Sequence, residues 1–289
     1  MNRMKIFAKG IFLCLLLTVT QIIYAQQSGR ILYHTPEDEV IFQRYVEQML
    51  PKRNLPMGEL MLQTALFFEG TPYVASTLEM EPEGLVVNLR ELDCTTFMES
   101  ALALCRTLKS EQPTFATYCD KLQELRYRNG TIADYTDRLH YMADWFYENE
   151  RKGITKDIAQ AIGGESLPLQ LSFISTHPDS YKQLKGHPEL TQKMQRKEQE
   201  INERPHFYLP TAQIDARSAG IQDGDILCFV TSIKGLDVTH VALAHWQNNQ
   251  LSFIHASSSA MKVVVEQRTL QNYAEAIKSC KGILIARAL

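Results

Sequence analysis

The sequence predicts an α+β domain in which helices come first and an antiparallel sheet follows. As far as about Pro205, apolar residues recur mainly at helical spacing, between charged residues that suit the outer faces of helices. After Pro210 the pattern changes to short apolar and β-branched runs separated by turn residues. Such runs are typical of antiparallel strands, in either an open sheet or a small barrel.

The first elements are marked by a helix-start signal. Thr35 followed by Pro36 and three acidic residues is typical of an N-cap and a first helical turn. The predicted elements before residue 90 are a helix from Pro36 that stops before Pro51, a helix from about Met57 to Glu69, an extended segment over 71–75 and a strand from Leu85 to Leu89.

The helix that begins at Cys94 carries the candidate chemistry. Its apolar residues recur at i, i+4, i+7 and i+11, which predicts one buried face (Phe97, Ala101, Leu104 and Leu108). Asp93 is the predicted N-cap, which places Cys94 at the first helical position. There the helix dipole and the free amides favour a thiolate, lower the thiol pKa and can hold an oxyanion. We therefore predict Cys94 as a nucleophile, with a buried structural thiol as the alternative.

The rest of the chain is predicted as one domain, residues 26–289, with a helical insertion at about 111–205. Three helices are expected in the insertion, marked by Phe115, Cys119 and Leu122, by Tyr135, Leu139, Met142 and Phe146, and by the charged run from Pro188 to Arg204. The predicted strands are Ile226–Thr231, Val238–Trp246, Leu251–Ala256, Val263–Glu266 and Gly282–Arg287.

Residues 1–25 are predicted to be a secretory signal peptide, because basic residues precede an apolar run and Ala25 is a plausible cleavage point. No later run is long enough to span a membrane. Loss of three basic residues changes the net charge from -3 to about -6, and no basic stripe remains. An exported, acidic protein without a basic stripe is not expected to bind nucleic acid.

Two of the eight histidines are predicted to be neighbours on the sheet. The loop Asn248-Asn249 predicts a two-residue hairpin turn, because asparagine tolerates the positive φ angles that such turns need. Paired positions then sum to 497, which makes His240 and His255 diagonal neighbours on one face. His245 lies an odd number of residues from His240 and points to the other face.

Cys94, His240 and His255 form the candidate catalytic set, because a cysteine nucleophile needs a histidine base that a second polar side chain orients. Two alternatives remain open for the histidines. They could be structural residues of the sheet, or they could join a cysteine in a zinc site. Since the sequence contains neither C-x-x-C nor H-E-x-x-H, no metal site is predicted.

These motifs resemble those of the NlpC/p60 superfamily of papain-like cell-wall hydrolases. The matching stretches are Gly70–Tyr73, Leu92–Phe97 and Asp237–Val241, with His255 on the next strand. The chain is more similar to the branch known as domain of unknown function 1460, through Thr77–Glu79, Arg138–Tyr141, Lys234–Asp237 and His255–Ser258. The superfamily's usual Asp-Cys-Ser-Gly is Asp-Cys-Thr-Thr here, so substrate preference is carried over less safely than mechanism.

The resemblance implies a papain-like fold, with the nucleophile helix packed on the sheet, and an amidase that needs no cofactor. The predicted signal peptide places the mature protein outside the cytoplasm, and we expect it in the periplasm. Cys94 would be the nucleophile, His240 the base and His255 its orienting partner. The residues predicted to bind substrate are Tyr73, Thr95, Asp237, Ser257 and Ser258. The substrate would be a peptidoglycan fragment, cut between N-acetylmuramic acid and L-alanine. The alternatives are an endopeptidase that cuts after D-glutamate in the stem peptide, and a non-catalytic wall-binding module.

Overall fold

The computed structural model describes residues 30–289, so the predicted signal peptide lies outside the described residues. The helices are α1 (Pro36–Met49), α2 (Met57–Phe67), α3 (Cys94–Leu108), α4 (Phe115–Arg126), α5 (Met142–Arg151), α6 (Phe173–Thr176), α7 (Pro188–Asn202), α8 (Ile214–Arg217) and α9 (Leu270–Ala276). The strands are β1 (Leu32–Tyr33), β2 (Leu85–Val86), β3 (Thr155–Asp157), β4 (Glu165–Ser166), β5 (Phe207–Pro210), β6 (Ile226–Thr231), β7 (Val238–Gln247), β8 (Gln250–Ser257), β9 (Lys262–Val265) and β10 (Cys280–Ala288).

The main sheet is antiparallel and follows the order β4-β5-β10-β6-β7-β8-β9, with β3 added beside β10. The prediction of an α+β fold with an antiparallel sheet is confirmed. The barrel alternative is wrong, because in the described part of the chain β4 and β9 form open edges. A papain-like fold of the NlpC/p60 type stays a prediction.

The two faces of the sheet pack against different helices. On one face Val241, Leu243 and Ile254 join the core that includes α2 and α3. On the other face Ala242 and Phe253 pack with residues of α9. This division follows from the strand period of two, which sends neighbouring side chains of one strand to opposite faces.

The sequence prediction differs from the structure in several elements. The strand predicted over 85–89 is only Leu85–Val86, which pairs in parallel with Leu32–Tyr33. The helix predicted to include Tyr135 begins at Met142, after a 3₁₀ turn over Tyr135–Asp137. The stretch 111–205 also contains β3 and β4, which are too short to show an alternating pattern in the sequence.

The stretch 111–205 packs on the rest of the protein in two places. Tyr118, Leu122 and Trp145 are fully buried in the core that contains α3. A smaller apolar cluster includes Tyr141, Ile174 and residues of α7. That this stretch is an insertion within a single domain stays a prediction. Among residues 30–289, no helix is both long and apolar enough to cross a membrane.

Candidate active site

The start of α3 is fixed by a reciprocal pair of hydrogen bonds. The Asp93 carboxylate accepts from the Thr96 amide at 2.7 Å, and the Thr96 hydroxyl accepts from the Asp93 amide at 2.8 Å. This capping arrangement confirms Asp93 as the N-cap and Cys94 as the first helical residue. The predicted apolar face of α3 is fully buried, and Cys94 at its end remains half-buried.

The β7–β8 hairpin brings the two predicted histidines together. Asn248 and Asn249 adopt φ angles of 49° and 63°, and pairing from the turn to Leu243 and Ile254 keeps the predicted register. His240 Nε2 lies 2.6 Å from His255 Nδ1, with the ring planes at 80°. The predicted register and the neighbouring positions of the two rings are therefore confirmed.

A β-bulge lies directly beside His240. Phe229 of β6 pairs with His240, whereas Val230, the next residue, pairs with Val238. Thr239 is therefore the extra residue on β7, and the strand bends at this point. Bulges of this kind re-aim side chains next to functional sites.

Cys94 and His240 line one cavity of about 220 Å³. The Cys94 sulfur accepts a hydrogen bond from the amide of Val241, the residue after His240, so the start of α3 is held against β7. The other residues that line the cavity are Thr95, His140, Tyr141, Met142, Ile174, Tyr181, Leu236, Asp237, Val238, Thr239 and Val241. His255 lies behind His240, 3% exposed.

The Cys94 thiol is neutral in this arrangement. Burial raises the pKa of Cys94 to about 11, and the nearby Asp93 carboxylate raises it further in the same sense. Hydrogen bonds from the Val241 amide and from Thr95 lower the pKa only in part. The direction is opposite to the one predicted from the helix start alone, because burial outweighs the local effect of the helix end.

The two histidines are neutral as well. Burial lowers the pKa of His240 to about 3, and the neighbouring His255 adds to that effect. Burial likewise lowers the pKa of His255 to about 4. The rings of Phe253 and Tyr273 lie 5.0 and 5.8 Å from the His255 ring and form much of its apolar surroundings. A neutral imidazole that lines the same cavity as a neutral thiol can accept its proton during attack.

Glu266, which no motif in the sequence marks as a site residue, approaches the histidine pair from behind. Its Oε2 lies 4.0 Å from His255 Nε2, and Arg268 donates to both of its carboxylate oxygens at 2.9–3.0 Å. His255 pairs with Val264, which places Glu266 two residues along on the same face. The predicted strand Val263–Glu266 contains this signal, but the four-residue turn after Ser257 does not set a register by counting.

The predicted substrate-binding residues fall into two groups. Thr95 and Asp237 line the cavity beside Cys94. The Asp237 carboxylate already accepts from the amides of Ala143 and Val238 at 2.9 and 2.8 Å and is 2% exposed. Burial raises its pKa to about 6. Asp237 therefore ties α5 to β7, and a direct contact with substrate stays a prediction.

Tyr73, Ser257 and Ser258 are not among the described residues that line this cavity. Tyr73 is nevertheless near the nucleophile, because it forms a β-bridge with Leu92, two residues before Cys94. Burial is the main cause of the raised pKa of its phenol. The Ser257 hydroxyl is buried in its own turn, 3.0 Å from Ser259 Oγ, whereas Ser258 is exposed. The structure thus separates the two serines from the cavity around Cys94.

One wall of the cavity comes from the stretch 111–205. His140, Tyr141 and Tyr181 line it, and none of them was predicted as a site residue. His140 Nε2 lies 2.9 Å from the Tyr135 carbonyl oxygen, to which it donates, so its Nδ1 is left as an acceptor. The resemblance through Arg138–Tyr141 was the available signal for this wall.

The family comparison matches most of the chain. A family model described as AmiA-like, N-acetylmuramoyl-L-alanine amidase-like, matches residues 63–283. A crystal structure of an N-acetylmuramoyl-L-alanine amidase from Bacteroides uniformis is 38% identical, covers 81% of this chain and 99% of that chain, and has a TM-score of 0.77. No curated protein matches.

Two further crystal structures are similar. A protein from Bacteroides fragilis that is called a xylanase is 38% identical, with 78% of this chain and 99% of that chain covered and a TM-score of 0.73. A protein from Legionella pneumophila, assigned to the domain of unknown function 1460 family, is 22% identical. That match covers 87% of this chain and 97% of that chain with a TM-score of 0.60, which shows a shared fold alone.

Proposed function

The chain belongs to the AmiA-like, N-acetylmuramoyl-L-alanine amidase-like family, and we propose that it is a cysteine amidohydrolase that cuts the amide between N-acetylmuramic acid and L-alanine in peptidoglycan fragments. One observation carries the proposal. A half-buried thiol at a helix start shares a cavity with a neutral histidine, and a second histidine lies 2.6 Å from the first.

The first half of the reaction forms a thioester. The Cys94 sulfur attacks the lactyl carbonyl carbon as its proton passes to His240, and the carbonyl oxygen becomes an oxyanion. The first amides of α3 have no partner within the helix and can donate to that oxyanion. The amide C–N bond then breaks, and the nitrogen of L-alanine leaves with the proton that His240 held.

The second half restores the enzyme. Water enters the cavity, His240 takes one of its protons, and the hydroxide oxygen attacks the thioester carbon. The C–S bond breaks, the sulfur regains a proton from His240, and the muramic acid leaves with a free lactyl carboxyl group. Because Cys94 and His240 both rest neutral, no charged pair has to persist between turnovers.

A glycosidase, as the name of one similar structure would imply, fits this cavity poorly. Retaining and inverting glycosidases both use two carboxyl groups that flank the scissile bond. The cavity's described lining holds one carboxyl group, that of Asp237, which is bound to two backbone amides. A non-catalytic wall-binding module would gain nothing from the hydrogen bond between the Cys94 sulfur and the amide of Val241, the residue after His240.

The experiment is to supply muramoyl-peptides and the same stem peptides without sugar, and to weigh the products by mass spectrometry. We expect free stem peptide from the muramoyl-peptides and little action on the sugar-free peptides, because binding energy from the sugar aligns the scissile amide. Efficient cutting of sugar-free peptide after D-glutamate would instead establish the endopeptidase alternative.

The nucleophile is tested with two matched variants. Cys94→Ser should abolish turnover, since a hydroxyl is a far weaker nucleophile beside a neutral histidine. Cys280→Ser makes the same exchange at another half-buried thiol, outside the cavity, and should retain activity. Retained activity in Cys94→Ser would remove the cysteine mechanism.

We also propose that the protein is exported to the periplasm after cleavage near Ala25, and that it shares the papain-like fold of the NlpC/p60 superfamily. The peptidoglycan-directed family supports the export proposal. N-terminal sequencing of the mature protein is the test, and a chain that retains Met1 would contradict it.

A further inference from the structure

Glu266 is the charged group nearest the far side of the histidine pair, and its surroundings fix it firmly. Its Oε1 accepts from the amides of Gln267 and Arg268 at 3.0 Å each, and from Arg268 Nε at 3.0 Å. Its Oε2 accepts from Arg268 Nη2 at 2.9 Å and is the oxygen that faces His255. A carboxylate with this many donors stays ionised and keeps one orientation.

Two neutral arrangements of protons are possible in the pair His240–His255, because a single proton occupies the 2.6 Å contact. In the first, His240 Nε2 donates to His255 Nδ1, so His240 Nδ1 is unprotonated and His255 carries its proton on Nε2, towards Glu266. In the second, His255 Nδ1 donates, and His240 carries its proton on Nδ1.

These arrangements differ in chemistry. His240 can accept the thiol proton only at an unprotonated nitrogen, and its Nε2 is occupied by His255. The first arrangement therefore leaves a competent base at Nδ1, whereas the second leaves none. In the second, the lone pair on His255 Nε2 would also face the Glu266 carboxylate at 4.0 Å, which is repulsive.

We propose that Glu266 is a positioning residue that selects the first arrangement, and so makes His240 Nδ1 the base. It acts through charge, because 4.0 Å exceeds hydrogen-bond distance. The inference rests on the proposed roles of Cys94 and His240, and it deepens them by adding the residue that sets their protons.

The field at His255 has two opposing charged contributors. The Glu266 charge raises the pKa of His255, whereas the Arg268 charge lowers it. Two other titratable groups lie near the pair. The Tyr273 ring lies 5.8 Å from the His255 ring and under the Arg268 guanidinium at 4.5 Å, and the Cys94 thiol lines the same cavity as His240. Burial has the largest effect and keeps the pair neutral at rest.

The direct test needs no substrate. In protein labelled with ¹⁵N-histidine, we expect an unprotonated nitrogen at His240 Nδ1 and a protonated one at His255 Nε2. Glu266→Gln should mix or reverse this pattern, whereas Glu275→Gln, which removes an exposed glutamate of α9, should leave it unchanged. A protonated His240 Nδ1 in the unaltered protein, or an unchanged pattern in Glu266→Gln, would overturn the proposal.

The kinetic test compares the directions in which two substitutions shift the acid limb of the pH profile. Glu266→Gln should lower kcat by about 10-fold at little cost in KM, because only the competent arrangement turns over. It should also move the acid limb of the pH profile down by roughly 0.5–1 unit. Arg268→Gln should move that limb up, because it removes a positive charge that lowers the pKa of His255. The backbone amides of residues 267 and 268 still hold Glu266 in place in this variant.

If Glu266 and Arg268 had only structural roles, both variants would shift the acid limb of the pH profile in the same direction. That result would also overturn the proposal. Thermal melts of both variants separate loss of folding from loss of the proton arrangement. Failure of the proposed amidase function is distinguishable, because it would leave the ¹⁵N pattern intact while no muramoyl-peptide is cut.

Discussion

The β7–β8 hairpin carries histidines at both ends, and the histidines at the two ends have different surroundings and partners. Near α3, His240 and His255 contact each other within a wall of aromatic rings, and burial lowers their pKa values. Near the turn, His245 Nδ1 lies 3.4 Å from a carboxylate oxygen of Asp223. Burial among apolar rings, rather than residue type, therefore accounts for the lowered pKa values of His240 and His255.

The test with the largest expected effect on kcat removes one histidine from each end of the hairpin. His240→Ala should lower kcat by roughly 10³-fold, because a positioned base contributes on that scale. His245→Ala should stay within about 3-fold of the unaltered enzyme, since its side chain points to the other face. Stem-peptide release measures both. If the two effects were reversed, the turn end would hold the base.

The next largest effect should come from the second histidine. His255→Ala should lower kcat by about 100-fold, because His240 loses the acceptor that orients its ring. His255→Asn should recover part of that loss, since the amide oxygen can still accept from His240 Nε2. Equal activity in the two variants would mean that His255 only fills space.

The acid side of the pH profile sharpens the comparison further. The base must be neutral, so activity is lost as the pH falls through its pKa. Because the pKa values of His240 and His255 are lowered to about 3 and about 4, kcat/KM should remain nearly flat down to about pH 5. A histidine with an ordinary pKa near 6.5 would lose about 30-fold by that pH.

The control for this profile is His245→Ala, which should leave the acid limb in place. A limb centred near pH 6.5 in the unaltered enzyme would show that the histidine pair is more hydrated than its surroundings indicate. The measurement is kcat/KM for a muramoyl-peptide between pH 2.5 and 8, with folding followed by circular dichroism at each pH.

The parts of this site that the sequence predicted are those that local rules determine. A two-residue turn fixes strand register by counting, so the contact between His240 and His255 followed from Asn248-Asn249. The helix start at Cys94 followed from Asp93 in the same way, because capping acts within one turn.

The parts that it did not predict depend on tertiary packing. Glu266 is reached through the turn after Ser257, which is not a two-residue turn and so does not set a register by counting. The raised pKa of Cys94 reflects burial by residues that are distant in the sequence. An argument from the helix start alone does not include that burial. The wall formed by His140, Tyr141 and Tyr181 needs the packing of the stretch 111–205 against β7.

The smallest expected effect concerns the turn itself, which sets register without taking part in chemistry. Asn248 and Asn249 both have positive φ angles, a conformation that asparagine tolerates and alanine does not. Asn249→Ala should therefore lower the free energy of unfolding by about 1 kcal/mol, whereas Asn249→Gly should be nearly neutral because glycine suits this turn. Chemical denaturation measures both.

Turnover should be unchanged in either turn variant, provided that the protein is folded at the assay temperature. The reason is that the paired residues from Leu243 to Gln247 hold the register once the strands have formed. A large loss of kcat in Asn249→Gly, without loss of stability, would mean that the turn end of the hairpin communicates with the His240 end. That result would contradict the view that the turn end of the hairpin only sets strand register, whereas the His240 end takes part in proton transfer.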